Sequence, residues 1–108
     1  MQRCCPPAEV VPHDFESEAA LLKAVSDPYR LAMLATLAAA TDEVCVCDFT
    51  AGLPLNQPTV SHHLKILRDA ALVTCVRRGT WVYYRIAADA QQRIMNALVP
   101  VFQQKATA

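Results

Sequence analysis

The chain has 108 residues and a formal net charge of zero, and 54% of its residues are hydrophobic. This length predicts one domain, since domains hold roughly 100–200 residues, and the hydrophobic share suffices for a packed core. No apolar run approaches the roughly 20 residues of a membrane span, and no charged start precedes an apolar stretch at the N-terminus. We therefore expect a cytoplasmic protein with no membrane partner. Its five cysteines then favour metal-binding, redox or core roles over disulfides.

The first third of the chain predicts an arm followed by two helices. Residues 1–14 hold three prolines and no apolar periodicity, which indicates a mobile arm. Residues 15–25 predict a short amphipathic helix, and Ser26 or Asp27 is the expected N-terminal cap of the next helix. The apolar face of that second helix is expected to hold Leu31, Leu34, Ala35 and Ala38.

A second pair of helices is predicted in the middle of the chain. Residues 46–53 predict a brief helix with Asp48 in its first turn, where a negative charge is favourable. Asn56 is the expected cap of a longer helix, in which His63 flanks the core side and is expected to be packed. The inward face of this helix repeats at helical spacing through Val60, Leu64, Leu67 and Ala71.

The last third predicts a hairpin and a closing helix. Residues 73–77 and 81–86 alternate between apolar and polar side chains, which indicates two strands joined by the glycine turn RRGT. Cys75 lies within the first strand and is expected to be a small core residue. Residues 87–103 predict a helix that Pro100 bends or interrupts. The apolar stripe of this helix consists of Ile94, Ala97, Leu98, Val101 and Phe102.

Two helices joined by a tight turn and followed by a hairpin predict a mainly α, winged helix–turn–helix fold. Such a module places its second helix in the major groove and fixes its register through phosphate contacts. A solvated polar helix face is the alternative interpretation, and the basic hairpin that follows disfavours it. The expected contacts with double-stranded DNA come from the second helix and from the hairpin: Gln57, Thr59, Ser61, His62, Lys65, Arg68, Arg77 and Arg78.

Four segments of the chain resemble the ArsR/SmtB family of metal-sensing winged-helix repressors, and in particular its arsenical-resistance repressors. They are SDPYRLAMLATL, CVCDFT, LNQPTVSHHLKILRDAALV and RRGTWVYYRI. The resemblance covers residues 15–103 and implies a homodimer that leaves its DNA when an inducer binds. A two-fold dimer requires an inverted-repeat operator. We therefore expect an arm at 1–14, one DNA-binding and dimerisation domain at 15–103, and a tail at 104–108.

The same resemblance identifies the CVCD motif, which holds Cys45 and Cys47, as an inducer site. Thiolates are soft donors that favour thiophilic ions such as trivalent arsenic, cadmium or lead. Trivalent arsenic prefers three sulfurs, but Thr50 stands where the best-known arsenical repressors have a third cysteine. In some relatives, N-terminal cysteines of one subunit bind the ion together with the CVC motif of the other subunit. The resemblance therefore implies that Cys4 and Cys5 are the additional ligands.

The leading hypothesis is therefore a repressor released by arsenite, or by antimonite, with no permanent cofactor. A cadmium- or lead-responsive repressor and a repressor that senses oxidants or persulfide through the same thiols are the alternatives. Incidental thiols at Cys4 and Cys5 and a packed Cys47 also stay open. An enzyme is disfavoured, because thiol oxidoreductases usually carry C-x-x-C beside a strand–helix–strand pattern. The zinc site of some relatives is expected to be absent, since Gln91 stands at its histidine position.

Overall fold

The structure is a computed structural model that describes residues 6–11 and 14–103. Cys4, Cys5 and the predicted tail at 104–108 lie outside the described residues. In chain order the described elements are α1 (Glu16–Val25), α2 (Pro28–Ala39), β1 (Val44–Cys45), α3 (Val46–Gly52), α4 (Gln57–Asp69), β2 (Val73–Arg78), β3 (Trp81–Ile86), α5 (Ala90–Asn96) and α6 (Val99–Phe102). Within the described residues, no helix is long and apolar enough to cross a membrane.

Asp27, one of the two predicted caps, is the N-terminal cap of α2. Its side chain accepts hydrogen bonds from the backbone N–H groups of Tyr29 at 2.8 Å and Arg30 at 3.1 Å. These amides have no acceptor within the helix, so the Asp27 carboxylate satisfies two N–H groups that would otherwise be unpaired. Pro28 follows in the first turn, where its missing N–H costs no helical hydrogen bond.

The predicted core face of α2 was wrong in three of its four residues. Met33, Leu34 and Leu37 are buried, whereas Leu31 is 54% exposed and Ala35 and Ala38 are also exposed. An alanine-rich helix offers apolar positions around much of its circumference, so spacing alone does not select a face. The packing of α2 on α4 and β3 selects it instead. The longer side chains fill that space.

The helix–turn–helix consists of α3 and α4, and α4 follows its predicted pattern closely. Val60, Leu64 and Leu67 are fully buried in the core. Asn56 caps the helix by accepting a hydrogen bond from the Thr59 backbone N–H at 3.0 Å. Ala71, the fourth predicted inward residue, is exposed with a φ of +58° beyond the end of the helix. A left-handed residue at this position turns the chain from helix into strand.

The sheet has three strands in the order β1-β3-β2, all antiparallel. The hairpin of β2 and β3 was predicted, and its register runs from Val73 opposite Ile86 to Arg78 opposite Trp81. Strand β1 was not predicted, because two residues carry no visible alternation. It pairs Cys45 with Tyr83, so the CVCD motif is hydrogen-bonded to the hairpin that forms the wing.

The predicted last helix is divided into α5 and α6, in agreement with an interruption near Pro100. Ala97, the residue that follows α5, is buried, whereas most of the other apolar side chains of this region are exposed. Exposed fractions reach 70% for Met95, 45% for Leu98 and 81% for Phe102. The end of the described chain thus carries a large apolar surface that no described residue covers.

Candidate nucleic-acid interface and thiol site

Helix α4 presents the predicted polar face to the outside. Ser61, His62, Lys65 and Arg68 are all exposed, because the buried leucines and valine fix the opposite face toward the core. The Lys65 Nζ lies 2.9 Å from Asp69 Oδ2 in an exposed pair. Water weakens such exposed pairs, so the Lys65 ammonium can leave Asp69 and bind a phosphate instead.

A cleft of about 790 Å³ separates α4 from the wing formed by β2 and β3. No Asp or Glu of the described chain lines it. A cleft with cations and no carboxylate attracts a phosphodiester backbone electrostatically. The residues that line the cleft from α4 and from the wing include Gln57, Ser61, Lys65, Arg68, Arg77, Thr80 and Trp81.

The two arginines of β2, Arg77 and Arg78, lie on opposite faces of the strand. Arg77 lines the cleft beside α4. Arg78 faces the other side, where its guanidinium forms an ion pair with Glu43 and lies 5.3 Å from the centre of the Tyr83 ring. The hydrogen bond to Glu43 raises the pKa of Arg78. The geometry therefore favours Arg77 as the phosphate contact, whereas the Arg78 guanidinium is held by Glu43 and Tyr83.

The thiol site lies where β1 becomes α3. Cys45 caps α3: its Sγ accepts a hydrogen bond from the Cys47 N–H at 3.4 Å, and its own N–H donates to Asp48 Oδ2 at 3.2 Å. This is a capping box with a thiol in the place of the usual hydroxyl. The Cys45 residue is 7% exposed, whereas Cys47 is exposed, so the packed alternative for Cys47 was wrong. Both thiols also line the cleft beside α4.

Comparison with known proteins matches this architecture to one family. A family model described as "Bacterial regulatory protein, arsR family" matches residues 27–74. An uncharacterized HTH-type transcriptional regulator of Methanocaldococcus jannaschii is 41% identical over 82 residues, which make up 76% of this chain and 91% of the relative. The chain belongs to the ArsR family.

Two further ArsR-family comparisons bear on fold and function. The arsenic resistance transcriptional regulator ArsR1 of Pseudomonas putida is 40% identical over 72 residues, which cover 67% of this chain and 56% of that relative. The homodimeric winged helix–turn–helix DNA-binding domain of a possible ArsR-family regulator from Mycobacterium bovis is 29% identical with a TM-score of 0.64, covering 82% of this chain and 81% of that one. The predicted winged-helix fold is thus confirmed, within a family of DNA-binding transcriptional regulators.

A side-chain hydrogen bond with the Cys45 thiol raises the pKa of the Cys47 thiol, and partial desolvation and the charges of Cys45 and Asp48 act in the same direction. The thiolate is the form that attacks peroxides and disulfides. The environment of Cys47 does not lower its pKa, which is the change that activates redox thiols.

Cys75 was wrongly predicted as a core residue. It is exposed, and its Sγ accepts a hydrogen bond from Arg68 Nη1 at 3.5 Å. Strand β2 lies at the edge of the sheet and projects beyond the core, so only Val73 of this strand is buried. Alternation along an exposed strand therefore does not indicate burial.

No three His, Cys, Asp or Glu side chains of the described residues are arranged to hold a metal ion. Cys45 and Cys47 supply two thiols at one helix start, and Cys75 lines the same cleft without completing such a group. A three-sulfur site built on Cys45 and Cys47 therefore requires a donor from outside the described chain or from a second subunit.

Arg30 is a positioning residue that sequence reasoning missed. Its Nε donates to the Ala24 carbonyl at 2.6 Å, and its Nη1 lies 3.0 Å from His63 Nδ1. The Tyr29 ring lies 6.1 Å from the His63 ring. These contacts link α1, α2 and α4, and they confirm that His63 is packed rather than turned to DNA. The short segment DPYR, which begins with the Asp27 cap and ends with Arg30, is the signal that marks this position in the sequence.

We predict that Arg77→Ala weakens operator binding roughly fivefold near 0.15 M salt. One phosphate contact contributes about 0.9 to the slope of log affinity against log salt, so the slope should fall by about one. The measurement is fluorescence anisotropy with a labelled duplex that the wild-type protein selects from a random pool. Arg78→Ala is the matched control, because it removes the same charge from the opposite face of β2. If the salt slope falls equally in both variants, the position of Arg77 in the cleft does not make it the preferred phosphate contact.

Proposed function

We propose that the chain is an arsenic-responsive repressor whose homodimer binds an inverted-repeat operator through α4 and the wing. Trivalent arsenic binds Cys45 and Cys47 together with a thiol from the Cys4–Cys5 pair, and the complex with DNA then dissociates. The observation that carries this proposal is the position of Cys45. It ends a strand paired to the wing and begins the first helix of the DNA-binding pair. A relative described as an arsenic resistance regulator supports the choice of inducer.

Proton balance distinguishes arsenite from cadmium and lead at a site made of thiols. Arsenite is As(OH)₃ at neutral pH, and three thiols replace its three hydroxides with the release of three water molecules. Each thiol proton leaves in water, so no proton is released to the solvent. Cadmium and lead ions must instead displace protons from the thiols, and their affinity rises with pH. Arsenite binding is therefore expected to vary little with pH near neutrality, whereas binding of cadmium or lead is expected to strengthen as the pH rises.

Ligation disturbs the start of α3 directly. When Cys45 Sγ bonds to arsenic, the hydrogen bond that it accepts from the Cys47 N–H is weakened or lost. Helix α3 packs on α4, so a change at its first turn reaches the recognition helix. Two recognition helices enter successive major grooves only at a fixed separation. A coupling of 5–150-fold between inducer and DNA is typical of such systems, and by linkage DNA weakens arsenite binding by the same factor.

The double variant Cys4→Ser, Cys5→Ser is expected to bind operator normally and to lose its response to arsenite. The thiols of Cys45 and Cys47 alone leave one position of a three-sulfur site without a ligand. The measurement is the arsenite concentration that releases half of the bound duplex. Cys75→Ser is the control, since it removes an exposed thiol without changing the proposed ligand set. Release of the double variant at the wild-type concentration would assign the third ligand elsewhere.

The proposed homodimer is supported by the apolar surface of α5 and α6. A monomer rarely exposes a contiguous apolar patch of this kind. Met95, Leu98 and Phe102 lie near the end of the described chain, where a second subunit can cover them. The similar domain from Mycobacterium bovis is homodimeric. A two-fold assembly reads half-sites about one helical turn apart or a multiple of it.

Sedimentation velocity is expected to show a dimer at micromolar concentration. Leu98→Glu with Phe102→Glu should shift it to the monomer, because two carboxylates per subunit would be buried unpaired in the interface. Thr36→Glu, on an exposed position of α2, is the control substitution. A wild-type monomer that binds operator with full affinity would contradict the dimer.

A further inference from the structure

Two acidic residues directly precede the thiol site, and each pairs with an arginine of the wing. Glu43 forms an ion pair with Arg78, and Asp42 Oδ1 lies 2.7 Å from Arg85 Nη2. Their environments differ: the Glu43 side chain is 14% exposed and the Asp42 side chain is 74% exposed. Solvent screens the Asp42 pair strongly, so the Glu43 pair is the stronger connection between this segment and the wing.

The Glu43 pair belongs to a closed set of contacts around Cys45. Cys45 is paired with Tyr83 across the β1–β3 ladder. The Arg78 guanidinium lies over the Tyr83 ring, and Arg78 bonds to Glu43, which stands two residues before Cys45. The thiol segment is therefore attached to the wing twice, once through the backbone ladder and once through side chains.

We propose that Glu43 is a positioning residue that transmits ligand binding at Cys45 to the wing. This inference rests on the proposed function, because it takes arsenite at Cys45 as the signal. A ligand that moves Cys45 moves both Tyr83 and Glu43, which hold Arg78 from two directions. Arg78 lies in β2 beside Arg77, and Arg77 lines the cleft to α4. The wing thus responds to the inducer together with the recognition helix.

Trp81 provides a direct readout of the wing. It is the single tryptophan of the 108 residues, so no other indole contributes to the emission. It is 54% exposed, and it lies opposite Arg78 in the register of β2 and β3. Trp81 also lines the cleft that Cys45 and Cys47 line. A movement of the wing relative to the thiol segment therefore alters the surroundings of the indole, even in the absence of DNA.

The test compares Glu43→Gln with Asp42→Asn, two variants that remove one negative charge from adjacent residues. Arsenite is titrated into the DNA-free full-length proteins, and occupancy is followed by protection of the thiols from a chromogenic disulfide reagent. We expect arsenite to change Trp81 emission in the wild-type protein and in Asp42→Asn. In Glu43→Gln we expect equal occupancy, less than half of the emission change, and at least a threefold smaller effect of arsenite on operator affinity.

Arg78→Gln breaks the same pair from the wing and should lose the emission change in the same way, which covers the case that Glu43→Gln folds poorly. A wild-type emission change and coupling factor in Glu43→Gln would overturn the inference and leave the arsenite-responsive repressor intact. Equal losses in Glu43→Gln and Asp42→Asn would also overturn it, since they would report net charge alone. Failure of arsenite to protect any thiol of the wild-type protein would overturn the proposed function and this inference together.

Discussion

Cys45→Ser is expected to bind operator DNA with wild-type affinity and to remain bound at arsenite concentrations that release the wild-type protein. Serine is a good helix cap, so its hydroxyl can accept the hydrogen bond from the Cys47 N–H that the thiol accepts now. Helices α3 and α4 therefore keep their positions. An alcohol does not replace a thiol as a ligand for a soft ion, so the inducer site loses its central donor. The measurement is operator anisotropy during an arsenite titration.

The choice of serine separates loss of the ligand from loss of the cap. Cys45→Ala removes both the ligand and the cap, so it does not tell the two effects apart. Cys75→Ser is the matched thiol control, because Cys75 is exposed in the same cleft but lies on the wing. If Cys45→Ser releases DNA at the wild-type arsenite concentration, Cys45 is not the anchor of the inducer site.

The double variant Lys65→Ala, Arg68→Ala is expected to lose roughly 30-fold in operator affinity near 0.15 M salt. Two phosphate contacts at about 0.9 each predict a decrease of nearly two in the slope of log affinity against log salt. Both side chains are exposed on α4 and line the cleft, so their removal leaves the core leucines untouched. Affinity for random duplexes should fall by a similar factor, because phosphate contacts carry no sequence information.

Ser61→Ala and His62→Ala provide the contrast within the same helix. They should reduce discrimination between operator and random DNA while the salt slope stays near its wild-type value. Lys23→Ala, in the last turn of α1, is the control for removal of a basic residue outside the cleft. An unchanged affinity and slope in the Lys65→Ala, Arg68→Ala variant would remove α4 from the DNA interface.

The sequence predicted the DNA-binding half of the fold well, because several local signals agree there. Asn56 caps α4, the inward spacing of Val60, Leu64 and Leu67 is strictly helical, and a glycine turn with a φ of +63° at Gly79 joins two alternating strands. Cap, period and turn are each properties of neighbouring residues. The outward face of α4 follows from them without tertiary information.

The errors lie where tertiary packing decides. The core face of α2 depends on which side meets α4, and alanines at many positions make either side acceptable. Cys75 lies at an apolar position of the alternating pattern in β2, but the strand leaves the core after Val73, so Cys75 is exposed. Strand β1 exists only because β3 is beside it. Glu43 and Arg78 lie 35 positions apart, so no local pattern relates them.

The thiol site was predictable in part. Cys45 and Cys47 stand out by residue type and spacing, and the structure places them at a helix start as expected. Their opposite exposures and the thiol cap of α3 required the three-dimensional arrangement. The assignment of Cys4 and Cys5 as further ligands stays a prediction, because both lie outside the described residues.

The most direct measurement is anisotropy of a labelled operator duplex bound by the fully reduced wild-type protein. Separate samples receive arsenite, cadmium, lead and hydrogen peroxide, and the concentration that releases half of the DNA is compared. We expect arsenite to release the duplex at the lowest concentration, with the effect abolished in Cys45→Ser. Release by peroxide but not by arsenite, or by cadmium or lead at concentrations where arsenite has no effect, would contradict an arsenic-responsive repressor.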